Sequence, residues 1–266
     1  MPFVSRGGTQ VWWDSAGSGP ETILLVMGHA WDSRMWHRFV ASAQSAYRLL
    51  LFDNRGVGRT VWDGSPFGIP DLAADALAVM DAAGVDRAHV YGASMGGLTA
   101  QEIALSAPYR VATLLLGCTG TLSPDLPMPE QGKRRGRADY IPRWLQVRLM
   151  PKMLYGAGVD RAVVREDMAI VRSTPGSPAG RRAQGVAVAG YRSRDRLKEL
   201  DVPTLVLHGD VDRIVPHAMG KELASLIPGA RFVTLPGKGH LYLDSLDCQG
   251  NQEVLTFLAE HPIRRT

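Results

Sequence analysis

Gly92-Ala93-Ser94-Met95-Gly96-Gly97 contains the pattern Gly-x-Ser-x-Gly, and the residues around it decide the fold. The segment follows a short apolar run at residues 88–91 and opens a stretch of helical periodicity at residues 96–105. A turn this tight between a strand and a helix strains its central residue, and small flanking residues let the backbone approach itself closely. The pattern predicts a strand-turn-helix unit that projects the Ser94 hydroxyl from a sheet edge. The alternative is a tight turn with a capping serine.

Further apolar runs bounded by turn residues extend this unit into a sheet. Their length and flanks favour buried strands, which we expect at residues 22–27, 49–52, 89–91, 111–116, 204–207 and 231–235. Between them, residues 71–83 place apolar side chains on one helical face, with Asp71 as the expected N-cap and Gly84 after the end. The alternation predicts an α/β fold with a mostly parallel central sheet flanked by helices.

The alternation stops between residues 121 and 199, where no buried-strand run occurs. Helical patterns at residues 140–155 and 160–172 are followed by a stretch rich in Pro and Gly. Strands resume at Val202, so the segment interrupts one sheet. We therefore expect a core of residues 1–120 and 200–266, interrupted after the sixth strand by a helical lid of residues 121–199.

A serine hydroxyl becomes a nucleophile at neutral pH when a histidine accepts its proton and a carboxylate orients that histidine. His240 lies in a loop just after the last predicted strand, where the sheet edge can present it to Ser94. The loop after the preceding predicted strand offers Asp210 and Asp212. Asp212 is the preferred acid, and Asp210 is the expected stabiliser of the turn. The other histidines lie in strand patterns or at segment ends, which is more typical of packing or surface residues.

The order Ser94, Asp212, His240, together with the helical insertion, resembles the α/β-hydrolase superfamily over essentially the whole chain. Two further segments match it, Asp53-Asn54-Arg55-Gly56-Val57-Gly58-Arg59-Thr60 and Val202-Pro203-Thr204-Leu205-Val206-Leu207. The resemblance implies a serine hydrolase, similar to bacterial carboxylesterases, polyketide-tailoring methylesterases and enol-lactonases. It also supports Asp212 as the acid.

The resemblance further implies an oxyanion hole, the pair of N–H groups that binds the negative charge developing on the substrate. The family usually has His-Gly-x after its third strand, and this chain has Met27-Gly28-His29-Ala30. The implied donors are the backbone N–H groups of His29 and Met95. Met27 replaces the usual histidine, and the His29 imidazole either packs in the interior or contacts the substrate.

Aromatic and methionine side chains near these segments predict an apolar substrate pocket, and ordinary core packing is the alternative. The candidates are Trp31, Trp144, Met150, Met153, Tyr155 and Leu241. They predict a medium-sized hydrophobic ester or lactone as substrate. A carbon-carbon bond hydrolase or enol-lactonase with the same triad, and a ligand-binding homologue without turnover, remain alternatives.

Charge is unevenly distributed along the chain, whose formal net charge is +4. Residues 121–199 contain 16 Lys and Arg against 8 Asp and Glu, so this segment carries +8 and the remainder carries −4. The excess is either a solvated surface or a docking site for an acidic partner, such as an acyl carrier protein. No recognition motif accompanies it, so nucleic acid is not an expected partner.

Composition excludes several other classes of protein. Two cysteines in 266 residues, outside any metal-binding spacing, predict neither a disulfide scaffold nor a metal site. No signal peptide or run of eighteen apolar residues is recognisable, so we expect a cytoplasmic protein without a membrane span. No Gly-x-Gly-x-x-Gly follows the first strand, which argues against a dinucleotide-dependent oxidoreductase, and no cofactor is expected.

Overall fold

The structure, a computed structural model, describes residues 2–121, 143–174 and 176–263, with only the backbone of residues 143–148. Its strands are β1 Phe3–Arg6, β2 Thr9–Ala16, β3 Glu21–Val26, β4 Tyr47–Phe52, β5 Ala88–Ala93, β6 Val111–Gly117, β7 Thr204–Gly209 and β8 Arg231–Leu235. They form one sheet in the order β1-β2-β4-β3-β5-β6-β7-β8. The pairs β1/β2 and β2/β4 are antiparallel, and every other pair is parallel. The predicted mostly parallel α/β sheet is confirmed.

The central strands are apolar throughout because helices cover both faces of the sheet. In β3, Leu24 and Val26 point into one core, while Ile23 and Leu25 point into the core on the opposite face. All four side chains are fully buried. Burial of each contributes about 1.5–3 kcal/mol relative to exposure, so these strands fix the register of the sheet.

Eight α-helices are assigned within the described residues. They are α1 His37–Ala43, α2 Ile69–Ala82, α3 Met95–Ser106, α4 Arg143–Leu154, α5 Arg161–Ser173, α6 Pro178–Gly190, α7 His217–Leu226 and α8 Gln249–Glu260. Helices α2, α3 and α7 supply side chains to one core, and α1 and α8 supply side chains to the other. None of these described helices combines the length and apolar composition needed to span a bilayer.

The N-terminal end of α2 differs from the sequence prediction. Gly68 is the N-cap, and Asp71 is the third residue of the helix, with its Oδ2 accepting the Gly68 N–H at 2.9 Å. The prediction that Asp71 is the N-cap was therefore wrong. The helix begins before Pro70, because the fixed φ of proline suits the first helical turn.

The chain between β6 and β7, residues 121–199, is called the insertion below. Its described part contains α4, α5, α6 and a 3-10 helix at Arg194–Glu199. The patterns at residues 140–155 and 160–172 correspond to α4 and α5, although residues 140–142 lie outside the described residues. Helix α6 was not predicted from sequence, and it contacts the loop that follows β3.

Candidate active site

Ser94 occupies the turn between β5 and α3 with φ 56° and ψ −120°. This positive φ is unfavourable for a residue with a side chain and costs about 1–3 kcal/mol. The turn closes because Gly92 has no Cβ, since a Cβ there would lie 2.8 Å from the Cβ of Ala100 on α3. Gly28 also lies against the turn, where an added Cβ would be 3.0 Å from the Ser94 Cβ. The sequence thus places a serine at a strained strand-to-helix turn beside Gly28.

Asp212 and His240 come from the loops that follow β7 and β8. Because these strands are parallel neighbours, both loops lie at the same edge of the sheet. Nδ1 of His240 lies 2.8 Å from Oδ2 of Asp212, and both residues are buried. The other carboxylate oxygen of Asp212 accepts the N–H groups of Ile214 and Val215 at 2.8 and 3.0 Å. Asp212 is therefore held firmly behind the imidazole.

The hydrogen bonds keep Asp212 ionised despite its burial. Burial raises the pKa of this carboxyl, but hydrogen bonds from His208 and His240 and the backbone donation by Val215 outweigh it. The net result is a pKa well below the usual range. His208 is fully buried and lies 3.4 Å from Oδ2 of Asp212 through its Nε2. A permanently charged carboxylate can orient a histidine and stabilise its protonated form.

Asp210 occupies the neighbouring position and has a different environment. Its Oδ1 accepts the Gly237 N–H at 2.7 Å, and its side chain lies at the surface. This bond ties the loop after β7 to the loop after β8. The sequence suggests that Asp210 stabilises its own turn, whereas the hydrogen bond of its side chain is to the neighbouring loop.

A cavity of about 380 Å³ connects Ser94 and His240, which both line its wall. Most of the remaining wall is apolar, with contributions from Met27, Met35, Trp36, Leu154, Ile214 and Leu243. Among the sequence-predicted pocket residues, Trp31, Met150 and Leu241 line the cavity. The side chain of Trp144 lies outside the described residues. The cavity size is suited to a small organic molecule.

Two predicted pocket residues do not line this cavity. Met153 is 44% exposed, because it is turned away from the face of α4 that carries Met150 and Leu154. Tyr155 is buried behind the wall and packs with Leu154 and Met168. Helical periodicity on its own did not distinguish the cavity side of α4 from its solvent side.

The loop after β3 brings His29 to the cavity wall. The next residue, Ala30, has φ 67°, and its N–H donates to Oε1 of Gln184 at 2.8 Å. Nε2 of His29 lies 2.9 Å from the carbonyl oxygen of Arg181, so the imidazole contacts the backbone of α6. Met95 is the first residue of α3, where backbone N–H groups have no partner within the helix. His29 and Met95 are the two residues whose backbone N–H groups the family resemblance implies as oxyanion donors.

The family model described as the alpha/beta hydrolase fold matches residues 21–245. This chain belongs to that family. The match covers the sheet from β3 to β8 and the whole insertion. Ser94, Asp212 and His240 therefore all lie within the matched residues.

Proteins similar to this α/β hydrolase have several activities in their names. A putative carbamate hydrolase RutD from Azorhizobium caulinodans is 30% identical, covering 98% of this chain and 99% of the relative. A 2-hydroxy-6-oxononadienedioate/2-hydroxy-6-oxononatrienedioate hydrolase from Burkholderia vietnamiensis is 33% identical, covering 96% and 93%. The solved enol-lactonase from Burkholderia xenovorans LB400 is 26% identical, with a TM-score of 0.82, covering 97% and 100%. All three names specify hydrolysis, while the substrates that they name differ.

This α/β hydrolase also has a buried ionic cluster in the cavity wall that the sequence analysis missed. Arg38 from α1 and Asp167 from α5 both line the cavity and pair at 2.5 Å. The Tyr155 hydroxyl donates to Asp167 at 2.5 Å, and Nε2 of His37 lies 3.1 Å from it. Burial raises the pKa of Asp167, but hydrogen bonds from His37, Tyr155 and Arg38 outweigh it and lower the pKa overall. No local sequence pattern marks this cluster, because its members come from separate segments of the chain.

His37, Glu166 and Asp167 are close enough to be considered as ligands for a cation. However, Arg38 forms ion pairs with both carboxylates. A guanidinium therefore already supplies positive charge to this group. The chemistry of the cluster is that of a salt bridge between α1 and α5, and the donor set does not fit a metal.

Proposed function

We propose that this protein is a serine hydrolase that cleaves a carboxylic ester or lactone through an acyl-enzyme intermediate. The observation that carries the proposal is the shared cavity of Ser94 and His240, with Asp212 bonded to the far side of the imidazole. Membership of the α/β-hydrolase family supports hydrolysis as the reaction class.

In the first step, His240 removes the hydroxyl proton of Ser94 through Nε2, and the Ser94 oxygen attacks the substrate carbonyl carbon. The negative charge that develops on the carbonyl oxygen is bound by the backbone N–H groups of His29 and Met95. His240 then gives its proton to the leaving alcohol. Water, activated by His240, attacks the acyl-enzyme and releases the acid and the free serine.

Asp212 supports both steps without contacting the substrate. Because a carboxylate only accepts hydrogen bonds, its 2.8 Å contact places the proton of neutral His240 on Nδ1 and leaves Nε2 able to accept the serine proton. The lowered pKa of Asp212 keeps its negative charge opposite the imidazolium that forms during the reaction. This charge stabilises the transition state relative to the resting enzyme.

The cavity supports a medium-sized hydrophobic substrate. Its volume of about 380 Å³ and the apolar side chains of Trp31, Met150 and Leu241 favour an aliphatic or aromatic acyl group near Ser94. The second candidate is hydrolysis of a carbon-carbon bond in a vinylogous diketone by the same three residues. It is favoured by the name of the Burkholderia vietnamiensis relative. A ligand-binding homologue without turnover is the remaining alternative.

A substrate panel distinguishes these candidates. The wild-type protein and Ser94→Ala are assayed with 4-nitrophenyl esters of two to twelve carbons, an enol-lactone and a vinylogous diketone. The proposal expects the highest kcat/KM on a medium-chain ester or lactone, with turnover lost in Ser94→Ala. If the diketone is the best substrate, the proposed reaction is carbon-carbon cleavage and not ester hydrolysis. Absence of turnover on the whole panel would favour the ligand-binding alternative.

The proposal for an acidic partner rests on the basic insertion. Part of that charge is paired within the chain, since Arg194 contacts Glu222 at 2.8 Å and Arg196 contacts Glu102 at 2.8 Å. Arg165, Arg172 and Arg182 are exposed. If these arginines guide an acidic substrate or an acyl carrier protein, kcat/KM falls as salt rises from low to moderate concentration. An unchanged kcat/KM over this range of salt would reject the proposal of an acidic partner.

A further inference from the structure

Two buried amide side chains hold the loop that carries His29. Nδ2 of Asn54 donates to the Met27 carbonyl oxygen at 2.8 Å, at the start of the loop. Oε1 of Gln184 accepts the Ala30 N–H at 2.8 Å, at its end. Asn54 belongs to the core, whereas Gln184 belongs to α6 of the insertion. The backbone of residues 27–30 is therefore fixed from both sides, and one of the two supports comes from the insertion.

Gln184 also bonds to a second core loop. Its Nε2 donates to the Arg55 carbonyl oxygen at 2.8 Å, and the side chain is fully buried. Both ends of the amide are thus engaged, which fixes its orientation. Ala30, which it contacts, has a φ of 67° that is unfavourable for alanine and persists only when neighbouring groups hold it. The Gln184 amide is the side chain that bonds to the N–H of this residue.

Helix α6 is itself docked tightly on the core, so Gln184 has a defined position. Gly180 in the first turn of α6 lies against Gly56, where an added Cβ would be 2.6 Å from the Gly180 Cα. Gly176, just before α6, pairs with Val57 in an isolated β-bridge. At the next residue along α6, the Arg181 carbonyl oxygen contacts Nε2 of His29. This part of the insertion is therefore packed against the loops that carry His29 and Arg55.

We propose that Gln184 is a positioning residue for the oxyanion hole, so that α6 of the insertion determines the orientation of the His29 N–H. The inference rests on the proposed function, because it assigns a role within the same reaction. The Ala30 N–H belongs to the peptide unit that follows His29, and fixing its direction limits rotation of the loop. An oxyanion donor contributes about 10²–10³-fold to kcat only when it is aimed at the developing charge.

The test replaces Gln184 with a side chain of similar length that cannot bond to either loop. In Gln184→Met, we expect kcat on the best ester to fall about 10- to 100-fold, a partial loss of an oxyanion donor. KM stays within about twofold, because the donor binds the transition state more strongly than the ground state. The affinity for a trifluoromethyl ketone, which forms a tetrahedral adduct with serine, falls by a similar factor. The pH midpoint of kcat/KM is unchanged, because the contact between His240 and Asp212 is not altered.

Gln101→Met is the matched control. Gln101 is also a fully buried glutamine, and its Nε2 donates to the Gly120 carbonyl oxygen at 3.1 Å. Its replacement removes a buried amide of the same size without touching residues 27–30, so we expect a loss of Tm with little change in kcat.

Gln184→Glu keeps an oxygen that can accept the Ala30 N–H, and its kcat lies between those of wild type and Gln184→Met. If Gln184→Met does not accumulate as folded protein, Gln184→Asn replaces it. Its side chain is one methylene too short to reach both loops, and it carries the same expected loss.

The inference is overturned if folded Gln184→Met, or its replacement Gln184→Asn, keeps kcat within twofold of wild type. It is also overturned if Gln101→Met loses kcat and ketone affinity to the same extent, because the effect is then general destabilisation. Failure of the proposed function has a different signature, which is no Ser94-dependent turnover in the wild-type protein. If turnover depends on Ser94 but Gln184→Met has the same kcat as wild type, only the positioning role of Gln184 is rejected.

Discussion

Oδ2 of Asp212 lies 2.8 Å from Nδ1 of His240, although the two residues are 28 positions apart in the sequence. The contact follows from the pairing of β7 with β8, whose parallel register aligns Gly209 with Leu235. Each strand ends at the same sheet edge, and each is followed by the loop that carries one of these residues. The fold therefore determines which carboxylate faces the imidazole.

Asp212→Asn is expected to lower kcat about 10⁴-fold on the best ester, because an amide favours the wrong tautomer of His240 and leaves the imidazolium without its counter-charge. The matched control is Asp210→Asn. Among the described residues, the Asp210 side chain has the Gly237 N–H as its one hydrogen-bond partner, so this variant keeps kcat within about threefold, a change typical of a surface loop contact. Steady-state kinetics on both variants provides the measurement. If Asp210→Asn loses more kcat than Asp212→Asn, the acid is Asp210 and not Asp212.

Met150→Ala is expected to shift the ester preference toward longer acyl chains, because Met150 lines the cavity and its truncation enlarges the space beside Ser94. Met153→Ala is the control from the same helix, since Met153 is exposed and lies outside the cavity wall. Its chain-length profile stays that of the wild type. The comparison uses kcat/KM for the ester series from two to twelve carbons. Equal shifts in both variants would contradict the assigned cavity.

Arg38→Met is expected to destabilise the protein by about 3 kcal/mol, because it leaves the buried carboxylate of Asp167 without its cation. For a domain of this size, such a loss lowers Tm by roughly 6–12 °C. Arg194→Met removes a more exposed pair with Glu222 that contributes about 1 kcal/mol at most, so Tm changes by about 4 °C at most. Thermal unfolding of both variants tests this difference. Similar Tm values for the two variants would show that the ion pair between Arg38 and Asp167 does not anchor α5 to α1.

Acid is expected to destabilise the protein through three buried carboxylates. Burial raises the pKa of Asp53, Asp167 and Asp212, but their hydrogen bonds outweigh it, so each pKa is lowered in the folded state. Their stabilising contribution is therefore present above the unfolded pKa of about 4 and is lost as pH falls below it. Tm measured between pH 7 and pH 3 is expected to fall most steeply below about pH 4, for the same reason. A Tm that stays level over this interval would contradict the contribution of these carboxylates.

The interior of the fold could be predicted from sequence because its strands are buried on both faces and read as apolar runs. The first two strands were missed, since β1 and β2 lie at the antiparallel edge and mix polar with apolar residues. Ser94, Asp212 and His240 could be nominated because each lies in the turn or loop that follows a strand. Arg38 and Gln184 could not, because their partners lie more than 120 residues away and no local pattern records such contacts.

The most direct test of the proposed function is the site of covalent modification by a fluorophosphonate, a reagent that labels activated serines. The folded protein is treated with the reagent, digested and analysed by mass spectrometry, beside Ser94→Ala as the control. We predict a single adduct on Ser94 that appears together with loss of esterase activity, and no adduct in the variant. Folded wild-type protein that carries no adduct on Ser94, or carries it on another serine, would contradict the assignment of Ser94 as the nucleophile.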